Sequence, residues 1–237
     1  MIGTGTLINI AGIVLGGLCG LFFGKFLKKE HQDALSAAAG VSVLFLGIAG
    51  AMEGLLTIID GAVKSGNSMV LIISIMLGTL VGEIIGIENW FTRLGEWLKA
   101  KTGNAKDKRF VDDFVTASLT VCIGAMAIMG AIQDGIMGDY SLLTAKAVLD
   151  FIIIMVMAAS LGKGAVFSAV PVGLWQGAVT LLAQLIKPLM TEMALLYLSF
   201  VGSVLIFCVG VNLVWGKKIN VANMLPSIIF AVIAAFI

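Results

Sequence analysis

Long apolar stretches separated by short polar segments set the pattern of this chain. Eight such stretches lie near 4–24, 39–59, 68–88, 112–133, 143–162, 165–186, 192–214 and 219–237. A helix needs about 20 apolar residues to cross a bilayer. The last stretch is short and carries two asparagines and a proline, so seven spans followed by a re-entrant or surface segment is the alternative. The pattern predicts an all-α, polytopic membrane helix bundle with seven or eight transmembrane helices.

Glycines recur at four-residue spacing in the first and third stretches. This spacing places small residues along one side of a helix. Such a face lets a second helix approach closely inside lipid. We therefore predict that these glycines serve helix packing: Gly12, Gly16, Gly20 and Gly24, then Gly78, Gly82 and Gly86.

Two amphipathic polar stretches, 25–38 and 87–103, follow the first and third apolar stretches. Each predicts a helix lying along the membrane surface. Together with the glycine pattern, they suggest a parallel internal repeat with units 1–66 and 67–140 and a divergent remainder, 141–237, in one integral-membrane domain over 1–237. The alternative is that glycine-rich spans look alike by composition alone.

Basic residues lie mostly on one side of the predicted membrane. With the N-terminus outside, twelve Lys and Arg residues fall in the inner connections and three in the outer ones. Positive charge favours the cytoplasmic side, so we predict a multi-pass membrane protein with its N-terminus outside. Only 12% of the residues are charged and the net charge is +1, against about 25% charged in soluble domains. The balance argues against a nucleic-acid partner.

Five polar side chains fall within the outer halves of five different predicted spans. They are Asn9, Glu53, Asp134, Asp150 and Gln176. Ionisable groups in lipid are costly and need a partner or a purpose. We therefore predict that these five residues line a solute or ion pathway with an acid-rich outer vestibule, which would concentrate cations.

Structural roles remain open for several of these residues. Asp150 lies one helical turn from Lys146 and could form a structural ion pair. Asp134 lies near the end of its span and could be solvated, whereas Asn9 could join helices by hydrogen bonds. Pro171 removes a helical donor within the sixth span, so we predict a kink or helix break there, next to Gln176.

Catalytic chemistry has little support in the sequence. The single histidine, His31, lies on a polar stretch, and no nucleophile–base set or metal-ligand spacing occurs. We predict that the chain is not an enzyme and has no cofactor and no metal site. The three cysteines all lie within apolar stretches and suggest no disulfide framework.

Four motifs carry a resemblance to a known family. They are GTLINIAGIVLGGLCG, IGAMAIMGAIQDG, SLGKGAVFSAVPVGLWQG and VNLVWGKKINVANMLP. In this order they resemble the YdfK/YqgA-like family of bacterial membrane proteins, catalogued as domain of unknown function 554. The resemblance implies a bacterial cytoplasmic-membrane protein of seven or eight helices. It implies no substrate and carries over no functional residue.

The sequence thus predicts a transporter or channel for a small solute, either a cation or a proton-coupled substrate. The alternative is a non-transporting membrane scaffold or partner subunit, whose glycine faces only hold helices together. The predicted partners are the lipid bilayer and the solute. A homo-oligomer would use the same glycine faces, unless they are satisfied within one chain.

Overall fold

The computed structural model describes residues 2–59, 61–123 and 125–237. Twelve α-helices and one short hairpin of strands β1 and β2 make up these residues. The helices are α1 (Thr4–Gly24), α2 (Lys29–Leu55), α3 (Ser68–Ile85), α4 (Ile87–Lys101), α5 (Phe110–Cys122), α6 (Ala125–Met137), α7 (Ser141–Ser160), α8 (Ala169–Leu181), α9 (Ala183–Ile186), α10 (Glu192–Trp215), α11 (Val221–Met224) and α12 (Pro226–Ala234); the strands are β1 (Leu56–Ile59) and β2 (Ala62–Ser65), and two 3-10 segments cover Lys163–Ser168 and Lys187–Leu189.

The prediction of an all-α polytopic bundle is confirmed. Among the described residues, six helices are long and apolar enough to cross a membrane, and the bent pair α5–α6 makes a seventh candidate. The final helices α11 and α12 cover 221–234, and 14 residues rise only about 21 Å. This length is below the roughly 30 Å of hydrocarbon in a bilayer. The structure thus agrees with the alternative of seven spans and a shorter final segment.

Two predicted details are wrong. Residues 29–55 form one continuous helix instead of a surface helix followed by a span, since no proline interrupts this alanine-rich stretch. The break in the chain's second half is not at Pro171. This residue occupies the first turn of α8, where helical N–H groups lack intrahelical partners anyway. The break instead separates α5 from α6, which are bent by 63°.

The glycine face of α1 packs against the backbone of α7. A Cβ atom added at Gly12 would lie 2.8 Å from the carbonyl oxygen of Ala147, and one at Gly24 would lie 2.9 Å from that of Ala159. Gly16 and Gly20 lie between these two glycines, and Cβ atoms added there would meet the carbonyl oxygens of Phe151 and Met155. Residue numbers rise in the same direction along both helices at these contacts, so α1 and α7 are parallel. Their backbones are closer than a residue larger than glycine would allow.

The other glycine face is shared between two neighbours. Gly78 meets the backbone of Ser227 and Gly82 meets that of Asn223, so α3 packs against α11 and α12. Gly86 has a different role from the predicted one. It ends α3 in the left-handed conformation at φ 70°, which favours glycine.

The bundle has two distinct ends. One, here called the hairpin end, carries β1 and β2, the start of α1, α7 and α10, and the end of α6 and α8. The other, here called the basic end, carries α4 and the lysine-rich segment 102–109. Exposed large apolar side chains cover α1, α2 and α3, among them Leu15, Phe22, Phe45 and Ile72. Such a surface is suited to contact with lipid.

Candidate functional site

Four of the five predicted pathway residues come together in the half of the bundle toward the hairpin end. Asn9, Asp134, Asp150 and Gln176 lie on α1, α6, α7 and α8 and are 0%, 0%, 3% and 1% exposed. With Lys146, which is also buried, they form what we call the polar cluster. Burying so many polar groups at one place is costly unless they are paired.

Contacts between α1 and α8 form one side of the polar cluster. The Asn9 side-chain amide donates a hydrogen bond to Oε1 of Gln176 at 3.2 Å. One turn nearer the hairpin end, the hydroxyls of Thr6 and Thr180 lie 3.5 Å apart. Thr6 and Asn9 are three residues apart on α1, and Gln176 and Thr180 are four residues apart on α8. Residues with these spacings lie on the same side of a helix, so both contacts join the facing sides of two antiparallel helices.

Asp134 stands at the start of α1. Its Oδ2 accepts a hydrogen bond from the backbone N–H of Gly5 at 3.0 Å. The first N–H groups of a helix lack intrahelical partners, and the helix dipole favours negative charge there. Asp134 is therefore buried and paired with a helix end, not solvated.

Lys146 and Asp150 form a buried ion pair on α7. The ammonium group of Lys146 donates to both carboxylate oxygens of Asp150, at 2.8 and 2.7 Å. It also donates to the backbone carbonyl of Val121 at 2.9 Å. In an unbroken helix this carbonyl would accept from residue 125. The bend after α5 removes that partner, and Lys146 takes its place.

Three buried polar atoms in the cluster have no hydrogen-bond partner within the described ranges. They are Oδ1 of Asn9, Oδ1 of Asp134 and Nε2 of Gln176. An unpaired buried polar group costs about 1–3 kcal/mol, and native proteins contain few of them. Two acceptors and one donor thus remain available for a water molecule, an ion or a polar solute.

Two predictions about this region need correction. Glu53 does not join the polar cluster and is exposed on α2, because α2 directs Gly47 and Gly54 against α10 instead. The cluster is also not an open vestibule. Its members are packed between helices and hydrogen-bonded across them, and this closes the space.

Sequence reasoning missed four partners in the cluster, one of which is the backbone N–H of Gly5. Thr6 and Thr180 give no signal, since single threonines are common in spans. The carbonyl of Val121 is available only because the helix breaks after α5, and nothing in the sequence between 119 and 126 resembles a proline break. Lys146 was foreseen as the partner of Asp150 from their four-residue spacing.

Comparisons with known proteins match the chain to one protein family and to two bacterial relatives, one of which is called a membrane protein. The family model described as "Protein of unknown function (DUF554)" matches residues 4–236. The "Uncharacterized membrane protein YdfK" of Bacillus subtilis (strain 168) is 29% identical over 233 residues, which are 98% of this chain and 96% of that protein. The "Uncharacterized protein YqgA" of Escherichia coli (strain K12) is 28% identical over 231 residues, 96% and 94% of the two chains. No solved structure matches.

Proposed function

We propose a transport function for this chain, which belongs to the DUF554 family of proteins of unknown function. The transported species is a small cation or a solute coupled to protons. The polar cluster is its binding region within the membrane. The hairpin end faces the outside and the basic end faces the cytoplasm, in accordance with the distribution of Lys and Arg.

One observation carries the proposal. The polar cluster holds two carboxylates, an ammonium group and three unpaired polar atoms, all at 7% exposure or less. Such groups are expensive in lipid and are usually retained for a function. Binding and release of a polar species would explain why they are brought together from four helices.

The Lys146–Asp150 pair couples binding of the transported species to a conformational change. A proton or a cation that reaches Asp150 competes with the ammonium group of Lys146 for the same carboxylate oxygens. Once Lys146 loses this partner, it is held only by the carbonyl of Val121 at the helix break. Broken helices at membrane depth are common at transporter binding sites. The species that binds Asp150 would therefore alter the contact that holds α5 and α7 together.

A scaffold without transport is the second candidate. It is favoured by the pairing of Asp150 with Lys146 and of Asp134 with the start of α1, because acids neutralised by such partners can be purely structural. The glycine faces of α1 and α3 meet helices of the same chain, so a homo-oligomer is not needed to satisfy them.

A flux assay with purified protein in liposomes separates the two candidates. Accumulation of solutes and internal pH are measured across a panel of inorganic and organic cations, with and without a pH gradient. We expect Asp150→Asn to abolish flux, because it removes the charge that a proton or cation must meet. Glu53→Gln is the matched control, since it neutralises an exposed acid outside the polar cluster and should leave flux unchanged. Equal flux for Asp150→Asn and the unmodified protein would refute the proposal.

A further inference from the structure

An open groove lies on the surface of the bundle at the basic end, and none of its lining residues belongs to the polar cluster. It encloses about 540 Å³ between the end of α1, the start of α2 and the turn that follows α7. Its two parts differ in chemistry. Toward the middle of the bundle the wall is apolar and includes Leu18, Leu21 and Phe22, whereas the basic end is lined by Lys25 and Lys163.

Contact between the ends of α1 and α7 brings the two lysines to the same place. A Cβ atom added at Gly24 would lie 2.9 Å from the carbonyl oxygen of Ala159, so the two backbones touch there. Lys25 directly follows Gly24, and Lys163 comes four residues after Ala159. Because α1 and α7 are parallel, both lysines follow helix ends on the same side of the bundle and line one groove.

The cationic part of the groove has no compensating acid. No Asp or Glu is among the described residues that line it. In the same parts of the chain neither lysine forms an ion pair, and Lys163 donates one hydrogen bond, to Oδ1 of Asn104 at 3.3 Å. An ammonium group has three N–H donors, so the two side chains retain several for a ligand. Such a pair favours an anion with several acceptor oxygens, as in a phosphate group.

Gln32 supports the polar part of the groove. Its Nε2 atom donates to the carbonyl oxygens of Gly24 at 2.9 Å and Leu27 at 3.4 Å. The last carbonyl groups of a helix lack intrahelical partners, so this side chain fastens the start of α2 to the end of α1. The backbone of Lys25 lies between these two carbonyls and is thereby held at the edge of the groove.

We infer that this groove binds one anionic phospholipid, with its phosphate group at Lys25 and Lys163 and an acyl chain along α1. Leu18 and Phe22 are 54% and 58% exposed. The seven residues from Leu18 to Lys25 rise about 10 Å, so the apolar and cationic contacts follow one another as the chain and headgroup of a lipid do. Basic pockets between spans on the cytoplasmic side bind anionic headgroups in other membrane proteins.

Two other occupants fit the groove less well. Free phosphate would contact the lysines and leave the apolar wall uncovered. A zwitterionic headgroup carries its own ammonium group, which the two lysines repel. The inference goes beyond the proposed function and does not depend on it, because the charge and shape of the groove are the same whether or not the protein transports a solute.

Native mass spectrometry of delipidated protein in detergent measures the binding, since each bound lipid adds its own mass. The probes are dioleoyl phosphatidylglycerol, dioleoyl phosphatidylcholine and inorganic phosphate. We expect one tightly retained phosphatidylglycerol, weaker retention of phosphatidylcholine, and no displacement of the lipid by phosphate at equal concentration. Phosphatidylglycerol should also raise the melting temperature of the protein, because a ligand of the folded state stabilises it.

The double variant Lys25→Gln/Lys163→Gln should weaken binding of phosphatidylglycerol about thirtyfold, because each lysine at an anionic lipid surface contributes about fivefold in affinity. Both lysines are exposed, so the variant should fold, and its melting temperature without lipid checks this. If it did not fold, each single variant should still weaken binding about fivefold.

Lys101→Gln/Lys218→Gln is the matched control. It removes two exposed positive charges at the basic end that do not line the groove, and it should bind phosphatidylglycerol like the unmodified protein. Three results would overturn the inference: equal retention of phosphatidylcholine and phosphatidylglycerol, the same affinity for phosphatidylglycerol in the groove variant and the control variant, or displacement of the lipid by inorganic phosphate.

Discussion

The buried ion pair between Lys146 and Asp150 gives a quantitative prediction about stability. Replacing Asp150 by Leu leaves the ammonium group of Lys146 buried, with the carbonyl of Val121 as its one remaining strong partner. Breaking a buried pair in this way typically costs about 3–5 kcal/mol. Lys146→Met should cost a similar amount, because it leaves the carboxylate without its cation and the carbonyl without a donor.

The double variant Lys146→Met/Asp150→Leu should cost less than either single variant. Replacing a whole buried pair by apolar groups of similar size is often nearly neutral. The structure sets a limit to this recovery, because the carbonyl of Val121 stays unpaired at the helix break. One unpaired buried acceptor costs about 1–3 kcal/mol, so we expect the double variant to be destabilised by about that amount.

Unfolding by sodium dodecyl sulfate in mixed micelles measures these changes, with fluorescence of the four tryptophans as the signal. Strong coupling between the two sites is the expected outcome of the double-mutant cycle. If the cost of the double variant equalled the sum of the two single costs, the ion pair would contribute no coupling and the reasoning would be wrong. The same double variant should fold yet show no flux in liposomes, which separates the stabilising role of the pair from its proposed role in transport.

Three further predictions concern packing, supporting bonds and orientation. Gly16→Ala should destabilise the protein by about 1–3 kcal/mol because its Cβ would meet the α7 backbone, whereas Gly177→Ala, with nothing within 4 Å of the added Cβ, should be neutral or stabilising in the same unfolding assay. Asn212→Ala should cost about 0.5–1.5 kcal/mol through loss of its hydrogen bonds to the turn at Lys218 and Ile219, measured in the same assay. In whole cells, a membrane-impermeant thiol reagent should label Lys64→Cys and not Lys106→Cys; the opposite pattern would reverse the proposed orientation.

The first and seventh apolar stretches were predictable almost to the residue. The predicted span 4–24 corresponds to Thr4–Gly24, and 192–214 to Glu192–Trp215. The reason is that a membrane span is defined mainly by the length of its apolar stretch, and this length can be counted in the sequence. The break between α5 and α6 was not predictable, because it depends on a lysine from another helix that pairs with the released carbonyl.

The depth of the site residues in the membrane could be predicted from the sequence, but the side of each helix that faces the protein interior could not. Rise per residue placed Asn9, Asp134, Asp150 and Gln176 in the outer half of the membrane, and the structure joins them. Glu53 was placed in the same half and is exposed. The missing information is which side of α2 faces the protein, because the apolar residues of its second half lie on every side of the helix. Only its glycine contacts with α10 fix that direction, and these require knowledge of the partner helix.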